Sequence, residues 1–302
     1  MSLFSTFQPP ISYSEPLFRP PAEANSLIFQ VSYGCPHNSC KFCMMYKDCQ
    51  YKVREKEALF KEINAVADYY QYTPKAVKRI FLADGDVMNL PTKHLVEILE
   101  LLNEKFLNLS RIGIYANASS INKKSDEELK KLRHLKLTTL YTGLESGTQF
   151  ILDNVAKGET VEENITAIQR AQSFNFKCSV MVLLGLGGQK FSEQHALATA
   201  EALNKMQPRI LSALRYIGVA QSPHQKLYDD YSEVSESEAL RELYLLLKNL
   251  DLNQTVFSAN HSSNPLPIQG RLPKDKNNLL AQIKMSLDNN LYRHEKPFFY
   301  QL

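Results

Sequence analysis

No apolar run in this sequence approaches the ~20 residues that a bilayer-spanning helix needs. The first residues lack a basic stretch followed by an apolar one, so no secretory signal is read there. Neither sign of charge dominates. The 35 Lys and Arg stand against 32 Asp and Glu, and a net +3 does not by itself argue for a nucleic-acid or membrane-surface partner. No internal repeat is evident, and no Gly-Lys-Ser or Gly-Lys-Thr comes after the glycine-rich run at Gly185. That weakens a phosphate-loop reading. Cysteine is scarce, with five in 302 residues. With no secretory signal and a chain long enough to need no staple, a disulfide framework fits poorly, and a reducing cytoplasm is the expected home. Apolar residues are abundant: at 44% they can build a large core, which excludes a disordered chain. A chain of this length suits one α/β barrel.

The scarce cysteines are clustered. Cys35, Cys40 and Cys43 lie within nine residues at C-x4-C-x2-C spacing, straight after the apolar run Leu27 to Val31, which reads as a strand. Four cysteines would close a tetrahedral zinc site. Three leave one position open, and a cubane iron–sulfur cluster on three thiolates keeps one iron free for another ligand. Gly34 and Pro36 suit backbone that bends tightly around such a group. The alternative is a Cys3His zinc site of Cys35, His37, Cys40 and Cys43. Cys178 reads as a core residue, and Cys49 as a free thiol near the loop.

Residues 1–24 carry five prolines and read as an extended arm, with Phe4, Phe7, Tyr13 and Phe18 available to pin it. From Leu27 the pattern alternates. Strands are expected at Leu27–Tyr33, Arg79–Ala83, Arg111–Ala116, Leu137–Gly143, Lys177–Leu184 and Arg209–Ile217. Between them the apolar spacing predicts helices over Arg54–Tyr70, after a Thr92 cap, and from Ser125. Further helices are expected after the Thr160–Glu163 capping box, from Ser192, and after a second box at Ser235–Glu238. Six right-handed βα units predict a parallel sheet covered by helices, too few to close an eight-stranded barrel. The fold class expected is α/β, an open partial (βα)6 barrel over residues 25–225 with a C-terminal helical extension over 226–302.

Ligand-binding residues of parallel α/β folds gather just past the strand ends. The unusual residues of this chain sit there, strand after strand. They are the cysteines, Asp84-Gly85-Asp86, Asn117 with Ser119, Gly143-Leu144-Glu145-Ser146-Gly147, Gly185-Leu186-Gly187-Gly188, and Arg215 with Tyr216. Each alone reads as a turn; six on one rim read as a site.

These motifs resemble those of the radical S-adenosylmethionine (radical SAM) superfamily, over roughly residues 25–225. The usual cysteine pattern there is C-x3-C-x2-C with an aromatic before the last cysteine. Phe42 holds that place, while the first gap here is one residue longer. Gly143 to Gly147 is similar to the Gly-x-Glu-Ser motif of the branch containing oxygen-independent coproporphyrinogen oxidases and methylthiotransferases. The resemblance implies a [4Fe–4S] cluster on Cys35, Cys40 and Cys43 and S-adenosylmethionine on its open iron. It implies reductive cleavage to a 5′-deoxyadenosyl radical, with an electron donor such as flavodoxin or ferredoxin. It places Asp84-Gly85-Asp86 at the methionyl amino group, Glu145 (with Ser146) at the ribose, and Gly185 and Gly187 against adenine. Lys157 and Arg215 compete for the methionyl carboxylate. Asn117 belongs to the same expected cofactor set.

The fate of the radical is not legible in the sequence. A small-molecule substrate is favoured, a tRNA substrate is the alternative, and a noncatalytic zinc- or cluster-binding module is the reading from another class. No membrane partner is expected. The segment Asn260 to Pro267 is expected to cover the barrel's opening or to form a plain turn. It offers His261 and Asn264 as substrate contacts, alongside Tyr216, with Tyr115 and Asn117 as the other place to look.

Overall fold

The structure, a computed structural model, describes residues 9–71, 76–218 and 227–293. Phe4 and Phe7 of the arm, and the expected boundary at 225, lie outside these residues. The chain divides into two compact units. The first comprises Met1–Asn38, Met45–Leu140 and Phe174–Phe176; the second comprises Ser39–Met44, Tyr141–Ser173 and Lys177–Leu302.

In the first unit the strands are β1 (Leu27–Gln30), β2 (Ser32–Tyr33), β3 (Lys52–Val53), β4 (Arg79–Ala83), β5 (Arg111–Tyr115) and the start of β6 (Leu137–Glu145). Their sheet order is β1-β4-β5-β6. β1 pairs β4, and β4 pairs β5, in parallel. The strand expected over Leu27–Tyr33 is in fact broken. Ser32 and Tyr33 leave the sheet to pair antiparallel with Lys52 and Val53, which ties together the two ends of the cysteine loop. The helices are α1 (Lys56–Gln71), α2 (Thr92–Lys105), α3 (Ala118–Asn122) and α4 (Asp126–His134). α4 starts at the Ser125–Glu128 capping box, in which both reciprocal bonds are formed. Thr92 does not cap α2; Pro91 holds that position and Thr92 is the first helical residue, as suits a chain leaving a proline. Leu59, Ile63 and Val66 of α1 and Leu95, Ile98 and Leu99 of α2 are fully buried, as their spacing predicts. The arm is held by Tyr13, whose hydroxyl donates to the Ile28 carbonyl, and by Phe18, whose ring meets Tyr46 edge-on at 5.3 Å.

In the second unit the order is β6, β7 (Lys177–Leu184), β8 (Ile210–Arg215), β9 (Thr255–Ala259) and β10 (Ile268–Leu272). β7 pairs β8, and β8 pairs β9, in parallel; β10 returns antiparallel to β9. The helices are α5 (Gln149–Asn154), α6 (Val161–Ser173), α7 (Gly188–Met206), α8 (Glu236–Asn249) and α9 (Lys276–Asp288). The C-terminal extension therefore contributes the two strands β9 and β10 as well as the helices α8 and α9, and Asn260 to Pro267 is the connection between β9 and β10. Those strands have only five residues each, too short for their alternation to register. α7 starts at Gly188, not at Ser192, so the glycine run is itself the entry to the helix. No helix among the described residues is long and apolar enough to cross a membrane.

Candidate functional site

In the first unit the start of the cysteine loop is laid onto the end of β4. The Gly85 N–H donates to the Gly34 carbonyl at 3.1 Å. A Cβ on Gly85 would stand 2.7 Å from Cβ of Cys35, closer than real side chains come. Gly85 thus makes room for Cys35 itself. Asp84 is fully buried and accepts from the Tyr46 hydroxyl at 3.0 Å and the Gln30 amide at 3.2 Å. Burial pushes its carboxyl up to about 6, against these hydrogen bonds. Gln30 also clasps both backbone groups of Ser14, so Asp84 sits at the middle of a net joining arm, strand and loop. Asp86 is turned the other way. It accepts from the Asn117 N–H at 3.2 Å and the Ser120 hydroxyl at 2.6 Å, fixing the turn from β5 into α3. The two carboxylates therefore brace different segments on either side of Gly85, Asp84 the cysteine loop and Asp86 the turn into α3. Cys35 is half-buried and in no disulfide, and Cys49 packs against Gly34.

In the second unit Phe42 is seated on an apolar cluster of Ile151, Val155, Leu186, Leu227 and Tyr228. The Lys41 N–H donates to the Val155 carbonyl at 2.9 Å. These contacts anchor the stretch that carries Cys40 and Cys43, both half-buried and in no disulfide.

β6 runs on to Glu145, two residues past its expected end, and Glu145 closes it in a left-handed conformation with φ +64°. Such a backbone is uncommon for a residue with a side chain and concentrates at functional positions. The Glu145 carboxylate folds over Gly143, where no Cβ could fit beneath it. Lys157 Nζ lies 3.4 Å from Glu145 Oε1, and both side chains are nearly closed to solvent. Burial works against the Lys157 ammonium, but Glu145, Glu159 and Cys40 outweigh it and hold the lysine above its ordinary pKa. Sequence pattern links Glu145 to Lys157 only loosely, through the expected roles; the short turn of α5 between them carries no periodic signal.

Gly185 has φ +80° and donates its N–H to Glu242 Oε1 at 2.7 Å. The space beside it is filled by Val234, and that beside Gly187 by His195 and Ile151. Two tyrosines that no sequence motif singles out hold this run. The Tyr228 hydroxyl donates to the Gly187 carbonyl at 2.5 Å and the Tyr231 hydroxyl to that of Gly185 at 3.2 Å. Ser146 is fully buried and bonded to His195 Nδ1 at 2.8 Å.

Arg215 is buried at the end of β8, where a charge must find partners. Its guanidinium binds Glu236 at 2.7 Å and the Val234 carbonyl at 2.8 Å, which ties β8 to the start of α8. Asn264 is also buried, donating to the carbonyls of Ala213 and Ala259, so it bridges β8 and β9. His261 Nδ1 contacts the Ser263 hydroxyl at 2.8 Å, and burial lowers its pKa. Tyr216 stacks edge-on with Tyr231 at 6.1 Å.

Among the described residues no three His, Cys, Asp or Glu side chains converge as ligands of one metal ion, which a Cys3His zinc site would need. Three cysteines within nine residues, none in a disulfide, are the donor chemistry of a cubane that takes one thiolate on each of three irons.

The family model of the radical SAM superfamily matches residues 29–200. An uncharacterized methyltransferase of Pyrococcus horikoshii is 24% identical over 171 residues, 56% of this chain and 35% of that protein. The heme chaperone HemW of Bacillus subtilis is 24% identical over 130 residues, 42% of this chain and 34% of that one. This chain spans about a third of the length of these curated relatives. Among solved structures, coproporphyrinogen III oxidase (HemN) from Escherichia coli matches with a TM-score of 0.58 at 19% identity, covering 74% of this chain and 52% of that one. Methylornithine synthase (PylB) matches with a TM-score of 0.51 at 14% identity, covering 75% of this chain and 63% of that one. The structural likenesses establish a shared α/β fold. The family match extends over more than half of the sequence, and the chain belongs to the radical SAM superfamily.

Proposed function

We propose that Cys35, Cys40 and Cys43 hold a [4Fe–4S] cluster and that the strand-end motifs bind S-adenosylmethionine beside it, for reductive cleavage. When bound, the cluster supplies one electron to the sulfonium, giving methionine and a 5′-deoxyadenosyl radical that activates a further substrate. The observation that carries this reading is the Glu145 turn. A carboxylate held on strained backbone, covered from solvent and matched to one lysine is built to accept from two hydroxyls at once. Glu145 is the ribose residue of this proposal, with Gly185 and Gly187 at the adenine. Lys157 is the better choice for the methionyl carboxylate, since the Arg215 fork is occupied by Glu236 and the Val234 carbonyl. The backbone of Asp84-Gly85-Asp86 is assigned to the methionyl amino group, because both carboxylates already accept hydrogen bonds from neighbouring side chains. Burial around Glu145, Ser146 and Lys157 excludes water from the reactive end.

The substrate proposed is a small molecule, with flavodoxin or ferredoxin as electron donor and the cytoplasm as site of action. The names of the curated relatives, a methyltransferase and a heme chaperone, point to different end uses of a shared core. A tRNA substrate is the alternative. The test is anaerobic incubation of the iron-reconstituted protein with dithionite and S-adenosylmethionine. Formation of 5′-deoxyadenosine and methionine, lost in Cys40→Ala, supports the proposal; no cleavage by an iron-loaded protein refutes it.

A further inference from the structure

A second buried constellation runs through the same unit, and its central members, His195 and Glu242, have no part in the proposed cofactor contacts. Ser146 Oγ accepts the Thr148 N–H at 3.0 Å and meets His195 Nδ1 at 2.8 Å. On the far side of the ring, His195 Nε2 faces the Leu183 carbonyl at 3.1 Å and Glu242 Oε1 at 3.6 Å. Glu242 Oε1 accepts the Gly185 N–H at 2.7 Å, and its other oxygen accepts from Ser192. His195 and Glu242 are each 2% exposed. Thr199 completes the set: its hydroxyl accepts the Gly147 N–H at 2.8 Å and lies 3.3 Å from His195 Nδ1.

The partners define the ring's polarity. Nε2 faces only acceptors, so it carries a proton. Nδ1 faces two hydroxyls, so in the neutral ring it accepts from Ser146. The order serine, histidine, acid is that of a hydrolytic relay, but Ser146 has no surface open to a substrate, so the relay reading fails. The role of this chain of bonds is mechanical. One end is the Glu145-Ser146 turn after β6, and the other is the Gly185 turn after β7. The ring between them sits on α7, and the acid on α8. A network in which each member is bonded holds its ends at a fixed separation, and a network with one member removed leaves buried polar groups unsatisfied.

We propose that His195 is a positioning residue that, through Ser146 and Glu242, sets the spacing between the ribose and adenine subsites. The inference rests on the proposed function, since it concerns the two halves of the adenosyl group. It predicts that the network matters for the nucleoside and not for the amino-acid part of S-adenosylmethionine.

Equilibrium dialysis of the anaerobically reconstituted full chain tests this, with S-adenosylmethionine and free methionine as separate probes. His195→Gln keeps a proton donor toward Leu183 and Glu242 but sets no acceptor at the Nδ1 position that faces Ser146. It should weaken S-adenosylmethionine about tenfold, the scale of one buried hydrogen bond. Methionine affinity and iron content should stay at the wild-type level. Ser192→Ala is a milder second variant, trimming the outer bond of Glu242. It should give a smaller loss for S-adenosylmethionine alone. Unchanged S-adenosylmethionine affinity in both variants, or equal losses for both probes, overturns the inference. A wild type that binds iron but no S-adenosylmethionine overturns the proposed function as well, which separates the two failures.

Discussion

A Cβ placed on Gly143 would fall on the carboxylate of Glu145. The glycine and the glutamate of this motif are therefore one device. The strand ends left-handed, the carboxylate curls back over the strand at Gly143, and only glycine leaves room beneath it. Gly143→Ala should displace Glu145 from Lys157 without unfolding the chain. A lost pair of acceptor contacts costs ~1–3 kcal/mol, so S-adenosylmethionine affinity should fall at least fivefold, as in Glu145→Gln. Isothermal titration of both variants checks this; a Gly143→Ala protein that binds like the wild type contradicts it.

Gly85 stands in the same relation to Cys35, in the other unit. An alanine there meets the Cys35 backbone as well as its side chain, neither of which can rotate away. Overpacking of this kind costs typically ~1–3 kcal/mol. Gly85→Ala should lose most of its iron on reconstitution while thermal unfolding stays cooperative. Full iron occupancy in that variant would show that the loop does not rest on Gly85.

The two candidate cations should separate by what they stabilise. Arg215→Ala removes the ion pair with Glu236 and the bond to the Val234 carbonyl, and unties β8 from α8. Breaking a buried pair costs about 3–5 kcal/mol, and the discount for Glu236's partial exposure brings this toward about 2. Lys157→Ala should instead cost affinity for S-adenosylmethionine more than stability. Urea unfolding and ligand titration on both proteins decide it. The reverse pattern would exchange their roles.

Cys178 is fully buried, and burial pushes its thiol up to about 12, whereas the other four cysteines are half-exposed. The cluster-free folded protein should therefore titrate four thiols with a disulfide reagent at neutral pH and five in denaturant. A fifth rapid thiol in the folded state would contradict the burial of β7.

The fold is legible in the sequence where periodicity is long or chemistry is local. The apolar stripes of α1 and α2 and the capping boxes at Thr160 and Ser235 are formed as their spacing predicts. The helical turns α3 and α5 and the strands β9 and β10 are too short for their periods to register. At the candidate site, motif spacing points to Glu145 and the glycines but not to the groups that hold them. His195 and Glu242 are 47 residues apart in a helical pattern that also suits plain surface positions. Tyr228 and Tyr231 act through hydroxyls on backbone carbonyls that only the folded chain brings near. The need for glycine at 85 comes from Cys35, 50 residues away, and no local pattern encodes that.

The central claim is that the three clustered cysteines, and no others, carry an iron–sulfur cluster. Anaerobic reconstitution with iron and sulfide, followed by metal analysis of the wild type and single Cys→Ala variants, tests it directly. About four irons per chain are expected in the wild type and in Cys49→Ala, with loss of the cluster in Cys35→Ala, Cys40→Ala and Cys43→Ala. Stoichiometric zinc in place of iron, or loss of iron in Cys49→Ala alone, would contradict it.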